Sequence, residues 1–365
     1  MSDFTPFFIS LISRYIPQCL TLPVRKETVA MKVVIDDKIP YIREAIAQVA
    51  DQVVYLPGSA ITPEDVRDAD ALIVRTRTRC NRALLEGSRV QFIATATIGF
   101  DHLDTDYLRE ASIRWTNCPG CNAGSVAQYV RSSLLLLQEE KGLCLPHSTL
   151  GVVGVGHVGT LVADVGKELG LRVLLCDPPR AERGEQGFLP LEELMREADV
   201  ITFHTPLVRE GRYPTLHMAD DAFFHALARK PIIINTSRGE VVDGQALLRA
   251  LDEGRVREAI IDVWENEPNI DLRLLERTYL GTPHIAGYSA DGKANATRMV
   301  LEALCAHFHL PHTDFGITPP PAPVGTDPSN PLSLYNPRRD SQTLKNNPAD
   351  FEFLRGNYPL RREHV

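Results

Sequence analysis

Between residues 31 and 285 short apolar runs alternate with stretches whose apolar residues recur at helical spacing. The runs at 32–36, 52–55, 71–75, 91–95, 149–154, 172–176, 199–204, 231–235, 258–263 and 279–285 are rich in Val, Ile and Leu. They are too short for helices and do not alternate with polar residues, which marks them as strands buried on both faces. With helical segments between them, they predict parallel sheets covered by helices, the α/β class. Ten strands exceed the usual size of one sheet, so the pattern predicts two. The natural division falls near 120–148. There Val126, Val130, Leu134 and Leu137 line one face of a helix over 126–141, and Gly142 follows its end. That helix is expected to bridge two domains.

The ends of the chain break the pattern. Phe7, Phe8, Ile9, Leu11 and Ile12 form an apolar run, but Asp3 precedes it and Arg25-Lys26 follow it. A secretion signal has the opposite charge order, so residues 1–30 are read as an appendage before the first strand. Residues 311–331 form a linker whose proline density, greatest from Pro319 on, excludes helix interior and central strand. Residues 332–365 carry Leu332, Leu334, Tyr335, Phe351, Phe353, Leu354 and Tyr358. These are enough to dock on another surface and too few for an independent core.

Composition narrows the classes. Of 365 residues 44% are apolar and 24% charged, an ordinary globular balance that argues against a largely disordered or fibrous chain. A net charge of -8 argues against a global basic surface for nucleic acid. No run approaches the roughly 18 apolar residues of a membrane span. Seven cysteines, an odd number, fit reduced thiols of a cytoplasmic protein better than a disulfide scaffold.

One segment carries specific chemistry. The strand candidate at 149–154 runs into Gly154-Val155-Gly156-His157-Val158-Gly159, a helix follows, and Asp177 ends the next strand. A lone G-x-G-x-x-G is weak; after a strand, opening a helix, with an acid downstream, it is a dinucleotide fingerprint. Gly154 permits the tight turn, Gly156 admits a pyrophosphate to the helix N-terminus, and Gly159 lets helix and strand pack closely. Asp177 can bind both ribose hydroxyls and would repel a 2′-phosphate, which favours NAD over NADP. Further polar residues stand where later strands end: Thr205, Thr236-Ser237-Arg238-Gly239, Asp262 and His284. In doubly wound sheets ligands bind beyond those ends.

Oxidising an alcohol with NAD needs a base for the hydroxyl proton and a cation for an anionic substrate. His284 is the candidate base, Glu267 a candidate partner for its second ring nitrogen, and Arg238 a candidate carboxylate clamp. Taken singly, each is as readily a structural residue, and sequence does not show that they meet.

Thr236-Ser237-Arg238-Gly239, Glu265-Asn266-Glu267-Pro268 and Pro283-His284-Ile285-Ala286-Gly287 resemble the signatures of the D-isomer-specific 2-hydroxyacid dehydrogenases. The resemblance implies a Rossmann doubly wound NAD domain (126–285), a flavodoxin-like substrate domain (31–125 and 286–310) and a small C-terminal dimerisation segment (332–365). It implies Arg238, Glu267 and His284 as the catalytic set. Ala94-Thr95-Ala96-Thr97-Ile98-Gly99-Phe100-Asp101-His102, Pro119-Gly120-Cys121-Asn122-Ala123, Cys176-Asp177-Pro178-Pro179-Arg180 and His284-Ile285-Ala286-Gly287-Tyr288-Ser289 resemble the branch that oxidises 4-phospho-D-erythronate. By motif position Gly154, Gly156, His157, Val158, Gly159, Asp177, Thr205, Asp262 and Gly287 would meet NAD. Thr76, Thr97 and Tyr288 would meet substrate, and the enzyme would be a homodimer. The alternatives are another hydroxy acid, such as that of phosphoglycerate dehydrogenase, or a nucleotide-sensing protein; the intact Arg238, Glu267 and His284 argue against the last.

A phosphorylated substrate needs a second anion site. Arg75, Arg77 and Arg79 alternate after the strand at 71–75, and an extended chain would put all three on one side. Arg75 is the residue expected to help hold the phosphate; a solvated strand end is the bland reading. Cys118 and Cys121 form a lone C-x-x-C and read as loop cysteines, and His307, His309 and His312 as a solvated helix end, so no metal site is expected. Arg338 and Arg339 resemble a basic pair of the C-terminal segment, with no role assigned.

Overall fold

The computed structural model describes residues 30–311, 314–327, 329–359 and 361–363. The expected N-terminal appendage, save Ala30, and His312 lie outside the described residues.

Two parallel sheets organise the chain. The first contains β1 (Lys32–Asp36), β2 (Gln52–Leu56), β3 (Ala71–Val74), β4 (Phe92–Thr95) and β5 (Arg114–Thr116), in the order β2-β1-β3-β4-β5. This is the flavodoxin-like order. The second contains β6 (Thr149–Val153), β7 (Arg172–Cys176), β8 (Val200–Phe203), β9 (Ile232–Asn235), β10 (Glu258–Ile261) and β11 (Leu280–Gly281), in the order β11-β10-β9-β8-β6-β7. Strand order reverses at β6, which pairs with β7 on one side and β8 on the other. The glycine-rich turn therefore sits at the switch point of a Rossmann sheet.

The apolar runs are strands for the expected reason. Every residue of β3, β4, β6, β8 and β9 is buried, with helices on both faces. Two expectations need correction. The run 279–285 is a strand only over Leu280–Gly281, because Pro283 has no N–H for a ladder and His284 turns to φ 56°. And β5 was missing from the expected strands: its three residues are exposed or half-buried, and no apolar run betrays them.

The expected bridging helix spans Ala123–Lys141 and ends on Gly142 at φ 66°, with the Leu143 N–H returning to the Leu137 carbonyl. A second long helix, Ala290–Phe308, leaves the turn after β11 and buries Ala294, Val300, Leu301 and Leu304 in the core of the first sheet. Past the proline-rich stretch the chain docks on itself. Leu344 and Phe351 enter the core of the second sheet, and Tyr335 packs near the Ala123–Lys141 helix. The Ser341 hydroxyl accepts the Gly281 N–H, so the helix Pro337–Asn346 covers the β11 edge. Arg338 pairs with Glu140, and Arg339 is exposed.

Candidate active site

The glycine-rich turn has the shape a dinucleotide needs. Gly154 has φ +84°, and an added Cβ would lie 2.8 Å from the His204 carbonyl oxygen. A Cβ on Gly159 would stand 2.0 Å from the Gly154 oxygen, so helix and turn pack as closely as the fingerprint requires. A Cβ on Gly156 meets nothing within 4 Å; the space beside it is open. His157 and Val158 begin the helix His157–Glu168. Asp177 follows β7 and accepts the Val155 N–H at 2.8 Å and the Arg180 N–H at 3.1 Å. Thr205 faces this turn, and its buried hydroxyl has no partner among the described residues. An open backbone cradle, an acid at the strand end and an orphaned hydroxyl fit a bound NAD.

Beside it, burial drives the ring of His204 down to about 3, so it stays neutral; it touches the Thr202 and Thr236 hydroxyls at 2.9 and 3.3 Å. Asp262, 1% exposed, is wholly engaged. It accepts from the Thr282 hydroxyl at 2.6 Å and from the Ile285 and Ala286 N–H groups at 2.8 and 2.9 Å. Burial raises the Asp262 carboxyl above the ordinary range. Its visible work is to hold the turn that presents His284. The His284 N–H is tied to the Asp262 and Thr282 carbonyls, and its left-handed φ of 56° is held by this frame.

His284 and Glu267 meet. Nδ1 lies 2.8 Å from Glu267 Oε2, while Oε1 accepts the Trp264 N–H at 2.9 Å. Burial opposes a charge on Glu267; the hydrogen bond and charge of His284, the Trp264 N–H and the nearby Arg355 outweigh it and hold the carboxyl below the usual range. In the neutral ring, an Nδ1–H donating to this carboxylate leaves the Nε2 lone pair free.

Arg238 begins the turn after β9. A Cβ on the next residue, Gly239, would stand 2.1 Å from the Trp264 carbonyl, so the Arg238 turn presses directly on the loop bearing Glu267. Its Nη2 reaches within 3.5 Å of a Cβ position on Gly99, beyond β4 of the other sheet. Nη1 donates to the Ser237 carbonyl, and no carboxylate pairs with Arg238 among the described residues. The guanidinium thus spans the cleft between the two sheets with its charge free for a ligand.

The remaining expected residues fall as follows. Thr97 bonds Thr95 and the Gly99 carbonyl, which shapes the loop facing Arg238. Thr76 is exposed after β3. Tyr288 packs edge-on against Tyr358 with Lys293 over its ring. Gly287 presses on Asn122, whose side-chain oxygen is buried without a partner among the described residues. The arginine alternation is corrected: the chain turns at 76–78, with the Thr78 N–H on the Arg75 carbonyl, so the three do not share a side. Arg75 reaches the Lys38 carbonyl, Arg77 pairs with Glu352 at 3.9 Å, and Arg79 is exposed. Cys118 and Cys121 are buried free thiols pushed up by desolvation, Cys121 to about 11, and no metal-holding cluster occurs among the described residues. His307 stacks on Phe92.

Sequence reading missed Arg355, whose Nη1 lies 3.3 Å from Glu267 Oε2. No local signal marks it, because it reaches the site only through the docking of the C-terminal segment. Arg361 was also missed. It is buried and donates to the carbonyls of Ile285, Tyr288, Ala286 and Ser125, pinning the turn that follows His284.

The Rossmann sheet and this cleft define a dehydrogenase of hydroxy acids, and the chain belongs to the D-isomer-specific 2-hydroxyacid dehydrogenase family. The family's NAD binding domain matches residues 124–286. The chain is 59% identical over 339 residues to erythronate-4-phosphate dehydrogenase of Bacteroides fragilis, covering 91% of this chain and 97% of that protein. It is 45% identical over 349 residues to the enzyme of the same name from Cronobacter sakazakii, covering 91% and 92%. Among solved structures it resembles D-lactate dehydrogenase from Aquifex aeolicus complexed with NAD and lactic acid. The TM-score is 0.61 at 26% identity, covering 76% of this chain and 95% of that one. D-2-hydroxyisocaproate dehydrogenase shares the fold, with a TM-score of 0.65 at 23% identity, covering 78% and 98%.

Proposed function

We propose that this chain oxidises 4-phospho-D-erythronate at C2 to (R)-3-hydroxy-2-oxo-4-phosphooxybutanoate, with NAD as acceptor, in the synthesis of pyridoxal phosphate (vitamin B6). The observation that carries the reading is the near full-length identity with erythronate-4-phosphate dehydrogenase of Bacteroides fragilis. NAD supplies the hydride acceptor. Gly154, Gly156, His157, Val158 and Gly159 receive its pyrophosphate, Asp177 the adenosine ribose, and Thr205, Asp262 and Gly287 the remainder, with Asp262 also bracing the His284 turn. Arg238 clamps the substrate carboxylate. His284 Nε2 takes the C2 hydroxyl proton, and the Glu267 carboxylate balances the charge that then appears on the ring. Thr76, Thr97 and Tyr288 line the substrate, and Arg75 helps hold its phosphate.

The same reading divides the chain into an NAD domain, 126–285, and a substrate domain, 31–125 with 286–310, joined by the linker 311–331 to a C-terminal dimerisation segment, 332–365. It also makes the protein a cytoplasmic homodimer; light scattering of the purified protein reads the mass. No helix among the described residues is long and apolar enough to cross a membrane. A His284→Asn variant tests the chemistry. It should bind NAD as tightly as the parent, by calorimetry, yet form no NADH from 4-phospho-D-erythronate. NADH formation at the parent rate would remove His284 from its role.

A further inference from the structure

Two cations from distant stretches, Lys293 and Arg355, meet at Tyr288, and the charge of a third, Arg75, acts on Lys293. Lys293, on the first turns of the helix Ala290–Phe308, places its ammonium 4.6 Å from the centre of the Tyr288 ring. Arg355, on the short helix Phe351–Gly356, interacts with the Tyr288 phenol and lies 3.3 Å from Glu267 of the catalytic pair. Arg75 leaves the carboxyl end of β3, and its only hydrogen bond among the described residues goes to the Lys38 carbonyl at 3.2 Å.

Their counter-charges do not suffice. Arg355 has Glu267 and, at 3.8 Å, Glu352; but Glu267 Oε2 already accepts from His284, and Glu352 also faces Arg77. Lys293 and Arg75 have no carboxylate partner among the described residues. Burial, and the like charges of Arg75 and Arg355, depress the Lys293 ammonium to about 8. Gathering partly buried cations costs free energy that an anion repays.

We propose that Lys293, Arg355 and Arg75 form the subsite for the substrate's terminal phosphate, with Tyr288 as its floor. The inference rests on the functional reading above. A phosphate dianion here would sit beside the His284–Glu267 pair, which Arg355 reaches, while Arg238 holds the carboxylate. The C-terminal segment then contributes to substrate choice, because Arg355 reaches the cleft only when Phe351 is docked in the core of the second sheet.

Lys293→Met tests this, with Lys293→Arg as the charge-conserving rescue. The readout is the ratio of kcat/KM for 4-phospho-D-erythronate to that for D-erythronate. Losing one charge-assisted contact should lower it about 10- to 100-fold, and the Arg variant should restore most of it. An unchanged ratio, or a loss of NAD affinity in place of phosphate discrimination, overturns the subsite. A calorimetric titration with inorganic phosphate probes the site independently of turnover. The parent should bind and Lys293→Met should bind about tenfold more weakly; equal binding, or none by the parent, refutes the proposal. If the parent binds phosphate but does not oxidise 4-phospho-D-erythronate, the subsite stands and the functional reading falls.

Discussion

His284 Nδ1 and Glu267 Oε2 lie 2.8 Å apart, joining the turn after β11 to the loop after β10. These strands are neighbours in the sheet, so the pair is set by strand order and needs no long reach. Trp264 reinforces it, giving its backbone N–H to Glu267 and its ring N–H to the Thr282 carbonyl.

Glu267→Gln keeps the shape and removes the charge. The charge that appears on the His284 ring is then no longer balanced, so the Gln variant should have a reduced kcat with the KM for NAD nearly unchanged. Steady-state kinetics read both, and an unchanged kcat removes Glu267 from its role. Stability carries a second signature. The folded Glu267 carboxyl lies below its ordinary value. Its contribution is therefore present above that value and lost as pH falls through the folded one. The Gln variant should lose stability less steeply in acid, by urea midpoints against pH.

Arg238→Lys keeps the charge and loses the planar fork. One charge-assisted hydrogen bond is worth roughly 1.5–3 kcal/mol. The variant should therefore lose about 10- to 100-fold in kcat/KM for the hydroxy acid, with KM for NAD nearly unchanged. Steady-state kinetics varying each substrate in turn check it.

Asp177→Asn should weaken NAD binding and relax the preference over NADP, because the group that repels a 2′-phosphate is gone. The ratio of kcat/KM for the two coenzymes should fall about tenfold or more. An unchanged ratio would confine Asp177 to bracing Val155 and Arg180.

Arg361→Met strips donors from four backbone carbonyls around the turn 285–288 and the Ala123–Lys141 helix. A buried acceptor left unpaired costs about 1–3 kcal/mol. The variant should lose about 3 kcal/mol or more by urea denaturation, and kcat should fall because the same turn presents His284.

The sequence made the sheets and the chemistry legible to different depths. The buried strands announce themselves because parallel strands under helices must be apolar on both faces, and Gly154 and Gly159 of the turn because a side chain there would meet backbone. β5 escaped because three mixed residues at a sheet edge carry no periodicity. His284, Glu267 and Arg238 could be named from local motifs. Arg355, Lys293 and Arg361 could not, since each acts through contacts made across the fold. The arginine alternation misled for a related reason: period two holds only while the chain stays extended, and it turns at Thr76.

NADH formation by the purified protein with 4-phospho-D-erythronate, 3-phosphoglycerate and D-erythronate tests most directly whether this cleft oxidises a phosphorylated 2-hydroxy acid with NAD. The highest kcat/KM is expected for 4-phospho-D-erythronate. Preference for either other acid, or no NADH from any of the three, would contradict it.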